Sequence, residues 1–151
     1  MTGNRIGSGV IRFLLYGALM WGVCLYAFLR GGRAERFTAA SLLVATYSTV
    51  LVASPMAMRF QSVELPIMMV DSAFFLVLLG ISLRTEKFWP LWLTAMQGLT
   101  ILSHLAPYVP HVLPWAYGNA LAIWSYPMLI VLGLAVHRHR RGRKAGGSLV
   151  V

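Results

Sequence analysis

The side chains best placed to do chemistry in this chain are Asp71, Gln97 and His104, because each lies inside a long apolar stretch. Asp71 is the only charged residue between Leu65 and Leu83. An ionisable group at the centre of a membrane helix costs about 2.5–3.5 kcal/mol on insertion scales, so such a group usually has a partner or a function. Asp71 is therefore the first candidate for a functional residue.

A polar stripe follows in the next apolar stretch. Its members are spaced by three, three and four residues, which places them on one face of a helix: Thr94, Gln97, Thr100 and His104. In hydrocarbon this face should turn toward protein or water. The stretches that carry Asp71 and the stripe are joined by a short connection, which predicts antiparallel neighbours. We therefore expect Asp71 to reach Gln97 or His104.

Two interpretations of this predicted cluster compete. Apolar surroundings disfavour a charged carboxylate, and histidine changes its charge near neutral pH, so Asp71 and His104 could form a proton-responsive site. The same groups could instead be hydrogen bonds that hold helices together, worth about 0.6 kcal/mol each. Such bonds are the preferred interpretation for Thr94 and Thr100.

His104 could also be an axial ligand of haem. No second histidine falls at a similar depth in an apolar segment, and no Cys-x-x-Cys-His motif is present. Cys24 is the only cysteine, which excludes an intrachain disulfide and a cysteine-based metal site. Pro127 predicts a kink in the last apolar segment, where nearby hydroxyl groups could line a quinone or lipid cavity. We predict neither a cofactor nor a metal.

The elements that position these residues follow from composition. The 151-residue chain is 58% hydrophobic and 11% charged, against about 25% charged residues in soluble domains. Five apolar segments are long enough to cross about 30 Å of hydrocarbon, and they are too uniformly apolar for barrel strands. The prediction is a single all-α bundle of five transmembrane helices over residues 1–136, with spans at 10–29, 37–58, 65–83, 88–106 and 115–136.

The distribution of basic residues predicts the orientation of this bundle. Lys and Arg total 13 against 4 Asp and Glu. Ten of the 13 would lie on one side, which the positive-inside rule makes cytoplasmic. The N-terminus should then be outside and the C-terminus inside. Residues 137–151 form a basic tail, whose charges should contact the anionic inner leaflet at about 1 kcal/mol each: Arg138, Arg140, Arg141, Arg143 and Lys144.

Several function classes are disfavoured by the sequence. No folded basic face is available for nucleic acid. No phosphate-binding loop, paired carboxylates or nucleophile motif appears, so we predict that the protein is not an enzyme. Small residues at a four-residue step, Ser41, Ala45, Thr49 and Ala53, predict close helix packing, either within the chain or in a homo-oligomer.

The sequence resembles small uncharacterised multi-pass proteins of bacterial inner membranes from Val70-Asp-Ser-Ala through Leu83-Arg-Thr-Glu-Lys-Phe-Trp-Pro-Leu-Trp, and then at His104 and Ala122-Ile-Trp-Ser-Tyr-Pro127. The resemblance covers roughly the C-terminal half. It implies a location in the inner membrane and carries no catalytic residue.

Three functions are compatible with these features. The first is a non-enzymatic membrane protein that packs against itself or a larger complex. The second is a small proton-coupled carrier or channel that uses Asp71 with Gln97 and His104. The third is a membrane anchor for haem or quinone.

Overall fold

The computed structural model describes residues 3–53, 65–105, 108 and 123–147. Within these ranges the chain is all-α, as predicted, with no strand. The described residues include five helices: α1 (Gly3–Arg30), α2 (Arg33–Val52), α3 (Leu65–Arg84), α4 (Trp89–Ser103) and α5 (Ser125–Gly147).

Among the described residues, α3 is the one helix long and apolar enough, by length and composition, to cross a membrane. The apolar part of α1, Leu14–Arg30, is shorter. Helix α4 has 15 residues, α2 begins with charged residues, and the second half of α5 is basic. The coarser prediction, an all-α chain, is confirmed, and five complete spans stay a prediction.

The last segment differs from its predicted form. Helix α5 begins at Ser125, so Pro127 falls in its first turn, where the missing N–H costs little. The described part of α5 therefore has no mid-helix kink at Pro127. The helix continues through the basic residues to Gly147, so these residues extend α5. Parts of three predicted spans lie outside the described residues: 54–58, 106 and 115–122.

The helices pack as a closed ring in chain order. Each helix contacts the next, α5 returns to α1, and α2 also contacts α5. The buried apolar side chains at the centre come from all five helices: Met20, Cys24, Ala27, Ala39, Leu42, Phe74, Leu78, Leu93, Met128, Leu129, Leu132 and Val136. Cys24 is one of these core residues, and its Sγ lies 3.8 Å from the carbonyl oxygen of Ala39 on α2.

A two-glycine turn joins α1 to α2. The backbone N–H of Gly31 donates to the carbonyl oxygen of Ala27 at 2.9 Å and closes α1. A Cβ on Gly31 would lie 2.5 Å from that oxygen and 2.8 Å from the Cβ of Glu35, so glycine is required by close approach. The tight turn places Glu35, in the first turn of α2, in the interior.

The surface of the bundle is apolar on every helix. Large hydrophobic side chains are exposed on each one, among them Leu14, Leu25, Val44, Leu51, Met69, Leu76, Leu91, Leu102, Ile130 and Leu134. Polar side chains are buried instead: Glu35, Thr38, Thr94, Gln97, Thr100 and His104. Soluble domains keep most charged and amide side chains at the surface and rarely expose apolar patches of this extent.

Candidate functional site

Asp71, Gln97 and His104 meet between α3 and α4. The Nε2 of Gln97 donates to Asp71 Oδ1 at 2.9 Å and to the Asp71 carbonyl oxygen at 3.2 Å. The Nε2 of His104 lies 2.8 Å from Asp71 Oδ2. Both carboxylate oxygens of Asp71 are therefore engaged by α4, and we call these three residues the α3–α4 clamp.

The antiparallel hairpin explains why the clamp forms. Gln97 and His104 are seven residues apart, about two helical turns, so they share a face of α4. Helix α4 ends at Ser103, and the backbone N–H of His104 donates to the carbonyl oxygen of Ile101 at 3.0 Å. This end of α4 lies beside the beginning of α3, which carries Asp71.

Burial makes the clamp a low-dielectric site. His104 is fully buried, Gln97 is almost fully buried, and the Asp71 side chain is 17% exposed. Whether the Nε2 of His104 donates to Asp71 Oδ2 or accepts from it depends on the tautomer of the ring. The arrangement can therefore do two things: tie α3 to α4 through charge-assisted hydrogen bonds, or hold and release a proton.

The two threonines of the predicted stripe lie on the same buried face but do not join the clamp. Thr100 Oγ1 donates to the Met96 carbonyl oxygen of its own helix at 3.2 Å. Thr94 Oγ1 donates to the Pro90 carbonyl oxygen at 2.9 Å, and it also lies 2.9 Å from Ser82 Oγ on α3. Thr94 and Ser82 thus add a second contact between the two helices, and Ser82 was not singled out from the sequence.

A second buried polar group was also missed by the sequence analysis. Lys87 Nζ, in the α3–α4 connection, donates to Glu35 Oε1 at 2.6 Å. The Glu35 side chain is 1% exposed, and that of Lys87 is 40% exposed. These residues are 52 positions apart, so no local spacing links them. The available signal was one acidic residue among arginines in a predicted basic connection.

Glu35 and Lys87 line a cavity of about 480 Å³, which we call the loop-end cavity. Its other lining residues are Phe88, Trp89, Trp92, Val131, Leu134, Ala135, Arg138 and His139. Two buried polar atoms of this lining, Glu35 Oε2 and Trp89 Nε1, have no hydrogen-bond partner among the described residues. The cavity therefore combines an apolar wall, basic side chains and unsatisfied polar atoms.

The predicted lipid-contact residues do not share one environment. Arg138 lines the loop-end cavity. Arg140 is half-buried and Arg141 is exposed, whereas the side chains of Arg143 and Lys144 lie outside the described residues. The basic part of α5 is thus a helix with one arginine at a cavity, and its contact with lipid stays a prediction.

The predicted small-residue stripe lies partly at a groove. Ser41 and Ala45 of α2 line a groove of about 860 Å³ between α2 and α3, opposite Ala73 and Gly80. Ala53 lies just beyond the last residue of α2 and caps it. Two of the four stripe residues, Ser41 and Ala45, therefore line an open groove between neighbouring helices.

The absence of a metal and of haem stays a prediction. Among the described side chains, no three His, Cys, Asp or Glu residues are grouped so that they could hold a metal ion. The Nε2 of His104 already contacts Asp71, so ligation of haem through this nitrogen would break the clamp. No protein-family model, curated protein or solved structure matches this chain, so function must be argued from its own geometry.

Proposed function

We propose that the chain is a non-enzymatic integral membrane protein of the bacterial inner membrane that serves as a helix-packing or accessory subunit. The observation that carries this proposal is the distribution of side chains: apolar groups face outward on every helix, whereas Gln97, His104 and Glu35 are buried. A bilayer stabilises an apolar exterior and penalises unpaired polar groups, so polar groups turn inward and pair.

The positions of the basic residues support an orientation with the C-terminus inside. The contact between Glu35 and Lys87 brings the α1–α2 and α3–α4 connections together. Arg138 lines the same cavity, so the basic half of α5 lies at this end as well. Positive charge thus gathers at one end of the bundle, as expected for the cytoplasmic face.

The packing role rests on how the clamp uses its polar groups. Both Asp71 oxygens are engaged by Gln97 and His104, and Thr94 and Ser82 add a further contact along the same pair of helices. Interhelical hydrogen bonds of this kind hold membrane bundles together.

Membrane integration and orientation can be tested directly. After alkaline carbonate extraction, the protein should remain in the membrane pellet. A tag at the N-terminus should be accessible from outside the cell, and a C-terminal tag should require membrane permeabilisation. Release by carbonate would refute the membrane placement, and two tags on the same side would refute an odd number of spans.

The accessory role predicts a stable complex. After solubilisation of native membranes in a mild detergent, the tagged protein should run at the mass of an assembly with defined stoichiometry. A second protein in fixed ratio supports the accessory role, and a homo-oligomer supports self-packing. A monomer of about 17 kDa contradicts both.

A proton-coupled carrier is the second candidate, and one observation favours it. Asp71 and His104 are two titratable groups in direct contact, and the Asp71 side chain is not completely sealed. Proteoliposomes should then dissipate a pH gradient, and Asp71→Asn should abolish this flux while Thr100→Val leaves it intact. A gradient that persists with the wild-type protein, or equal flux with Asp71→Asn, refutes the carrier.

A further inference from the structure

The loop-end cavity contains two buried polar atoms whose requirements differ. Glu35 Oε1 accepts a hydrogen bond from the Lys87 ammonium, whereas Oε2 has no donor among the described residues. Trp89 Nε1–H can act only as a donor, so it needs an acceptor. A buried polar group without a partner costs about 1–3 kcal/mol. A ligand that satisfies both atoms must therefore carry a donor and an acceptor.

The charges of the cavity favour an anion as the acceptor. Lys87 and Glu35 neutralise each other as a pair. Arg138 lines the same cavity, and it takes part in neither of the two ion pairs found among the described residues. The lining thus carries about one surplus positive charge, which matches one phosphodiester. Guanidinium groups are well suited to hold phosphate oxygens.

The cavity is also polarised along α5. Val131, Leu134 and Ala135 line its apolar part together with Trp92, and Arg138 and His139 follow on the same helical face one turn later. A headgroup at the polar end would place an attached hydrocarbon chain against the apolar part. Lipid-facing aromatic and basic residues of this kind occur where a bilayer meets water.

Gly32 lies close to the carboxylate of Glu35 and to the ring of His139. A Cβ at this position would lie 2.9 Å from Glu35 Oε2 and 3.0 Å from the Cε1 of His139. A side chain would therefore fill the gap between these two residues. Any residue with a Cβ at position 32 would have to push the carboxylate or the imidazole aside, so glycine helps to keep Glu35 Oε2 in its place.

From these observations we propose that the loop-end cavity binds one phospholipid whose headgroup bears a primary amine or hydroxyl group beyond its phosphodiester. The phosphate lies at Arg138 and accepts from Trp89, the donor group reaches Glu35, and an acyl chain lies against Trp92 and Val131. This inference rests on the membrane placement proposed above, because the lipid must come from the leaflet at the basic end of the bundle.

The test uses the full-length protein in a mild neutral detergent, with lipid binding measured by native mass spectrometry. Three lipids with identical acyl chains are compared: phosphatidylethanolamine, phosphatidylglycerol and phosphatidylcholine. The first two carry a donor and the third does not. We expect them to bind about tenfold more tightly than phosphatidylcholine, the effect of one hydrogen bond to a charged group. Equal binding of all three overturns the proposal.

Variants locate the site. Arg138 and Arg141 are both exposed, and of the two Arg138 lines the cavity. Arg138→Gln should therefore weaken binding of phosphatidylethanolamine about tenfold, whereas Arg141→Gln removes the same charge outside the cavity and should change little. Trp89→Phe removes the indole N–H and keeps the ring, and it should weaken binding about fivefold relative to Trp21→Phe on the surface of α1. Equal effects within either pair refute the assigned contacts.

A soluble compound tests whether the cavity binds a lipid or a free phosphate compound. Glycerophosphoethanolamine carries the same donor and phosphate without acyl chains, and it should bind far more weakly than the lipid. Comparable binding would assign the cavity to a soluble ligand and contradict the proposal. Carbonate extraction distinguishes failure of the membrane placement from failure of the cavity assignment. Release of the protein by carbonate refutes the membrane placement. Retention in the membrane, together with equal binding of the three lipids, refutes the cavity assignment alone.

Discussion

Two buried polar clusters in the described part of the bundle differ in how many of their polar atoms have hydrogen-bond partners. The α3–α4 clamp draws on two neighbouring helices, and both oxygens of its carboxylate are engaged. The loop-end cavity draws on the start of α2, the α3–α4 connection and α5, and it leaves Glu35 Oε2 and Trp89 Nε1 unpaired. A cluster whose polar atoms all have hydrogen-bond partners is suited to stabilising the bundle, whereas a cluster with unpaired polar atoms is suited to binding a ligand.

The largest expected effect concerns the ion pair of the loop-end cavity. Lys87→Met leaves the buried Glu35 charge without its partner and should lower the free energy of unfolding by about 3 kcal/mol. Glu35→Gln should cost much less, because the half-exposed Lys87 can turn to solvent. Unfolding in mixed detergent micelles, followed by circular dichroism, measures both. Equal costs would mean that the Glu35 charge is not buried.

At the clamp, substitution should destabilise the protein because hydrogen bonds are lost, whereas at the ion pair a buried charge is left without its partner. Asp71→Leu removes the side-chain acceptor of Gln97 and the contact of His104, and it leaves Gln97 only the backbone carbonyl of residue 71. It should destabilise the protein by about 2 kcal/mol. Asp71→Asn keeps an oxygen for Gln97 and places an amide next to His104, so its cost should be below about 1 kcal/mol. The same unfolding assay applies, and equal losses would show that the contacts contribute nothing.

The glycine turn between α1 and α2 precedes Glu35, and a side chain at Gly31 should lower the free energy of unfolding. A methyl group on Gly31 would clash with the backbone of Ala27, so Gly31→Ala should cost about 1.5 kcal/mol. Gly80 on α3 has open space around its position, and Gly80→Ala should be neutral or slightly stabilising. A neutral Gly31→Ala would show that the turn can relax and does not fix the position of Glu35.

The smallest effect separates the two threonines of the stripe. Thr94→Val removes a contact with Ser82 across the α3–α4 hairpin and should cost about 0.6 kcal/mol. Thr100→Val removes a bond within its own helix, where the Met96 carbonyl still belongs to the helical ladder. Thr100→Val should therefore lower the free energy of unfolding by less than Thr94→Val. The reverse order would show that the contact between Thr94 and Ser82 does not stabilise the hairpin. Paired measurements in one detergent resolve this difference.

Local periodicity explains why the clamp could be predicted. Gln97 and His104 share a face of α4 by spacing alone, and a short connection makes α3 and α4 neighbours. The all-α class follows from uniformly apolar segments. Ser82 was missed because a hydroxyl in an apolar run gives no distinctive signal, although it stands on the face of α3 that meets Thr94.

The loop-end cavity could not be predicted in the same way. The partners Glu35 and Lys87 lie on separate connections, and their contact depends on how the ring of helices closes. Arg138 was expected at the lipid surface with the other basic residues, because a basic run resembles a topology signal whichever way each side chain turns. The start of α5 was missed because no charged side chain interrupts residues 115–136, whereas Pro127 is favoured in a first turn.

The central claim, that the apolar exterior of the bundle faces hydrocarbon, is tested most directly by measuring depth in a bilayer. In a Cys24→Ala background, a fluorophore is attached at Leu76→Cys or Leu83→Cys, both exposed positions on α3. In nanodiscs, lipids with a quencher near the bilayer centre should quench the label at 76 more strongly than the label at 83, and aqueous iodide should do the reverse. Quenching of position 76 by iodide, with no effect of the lipid quencher, would contradict the account.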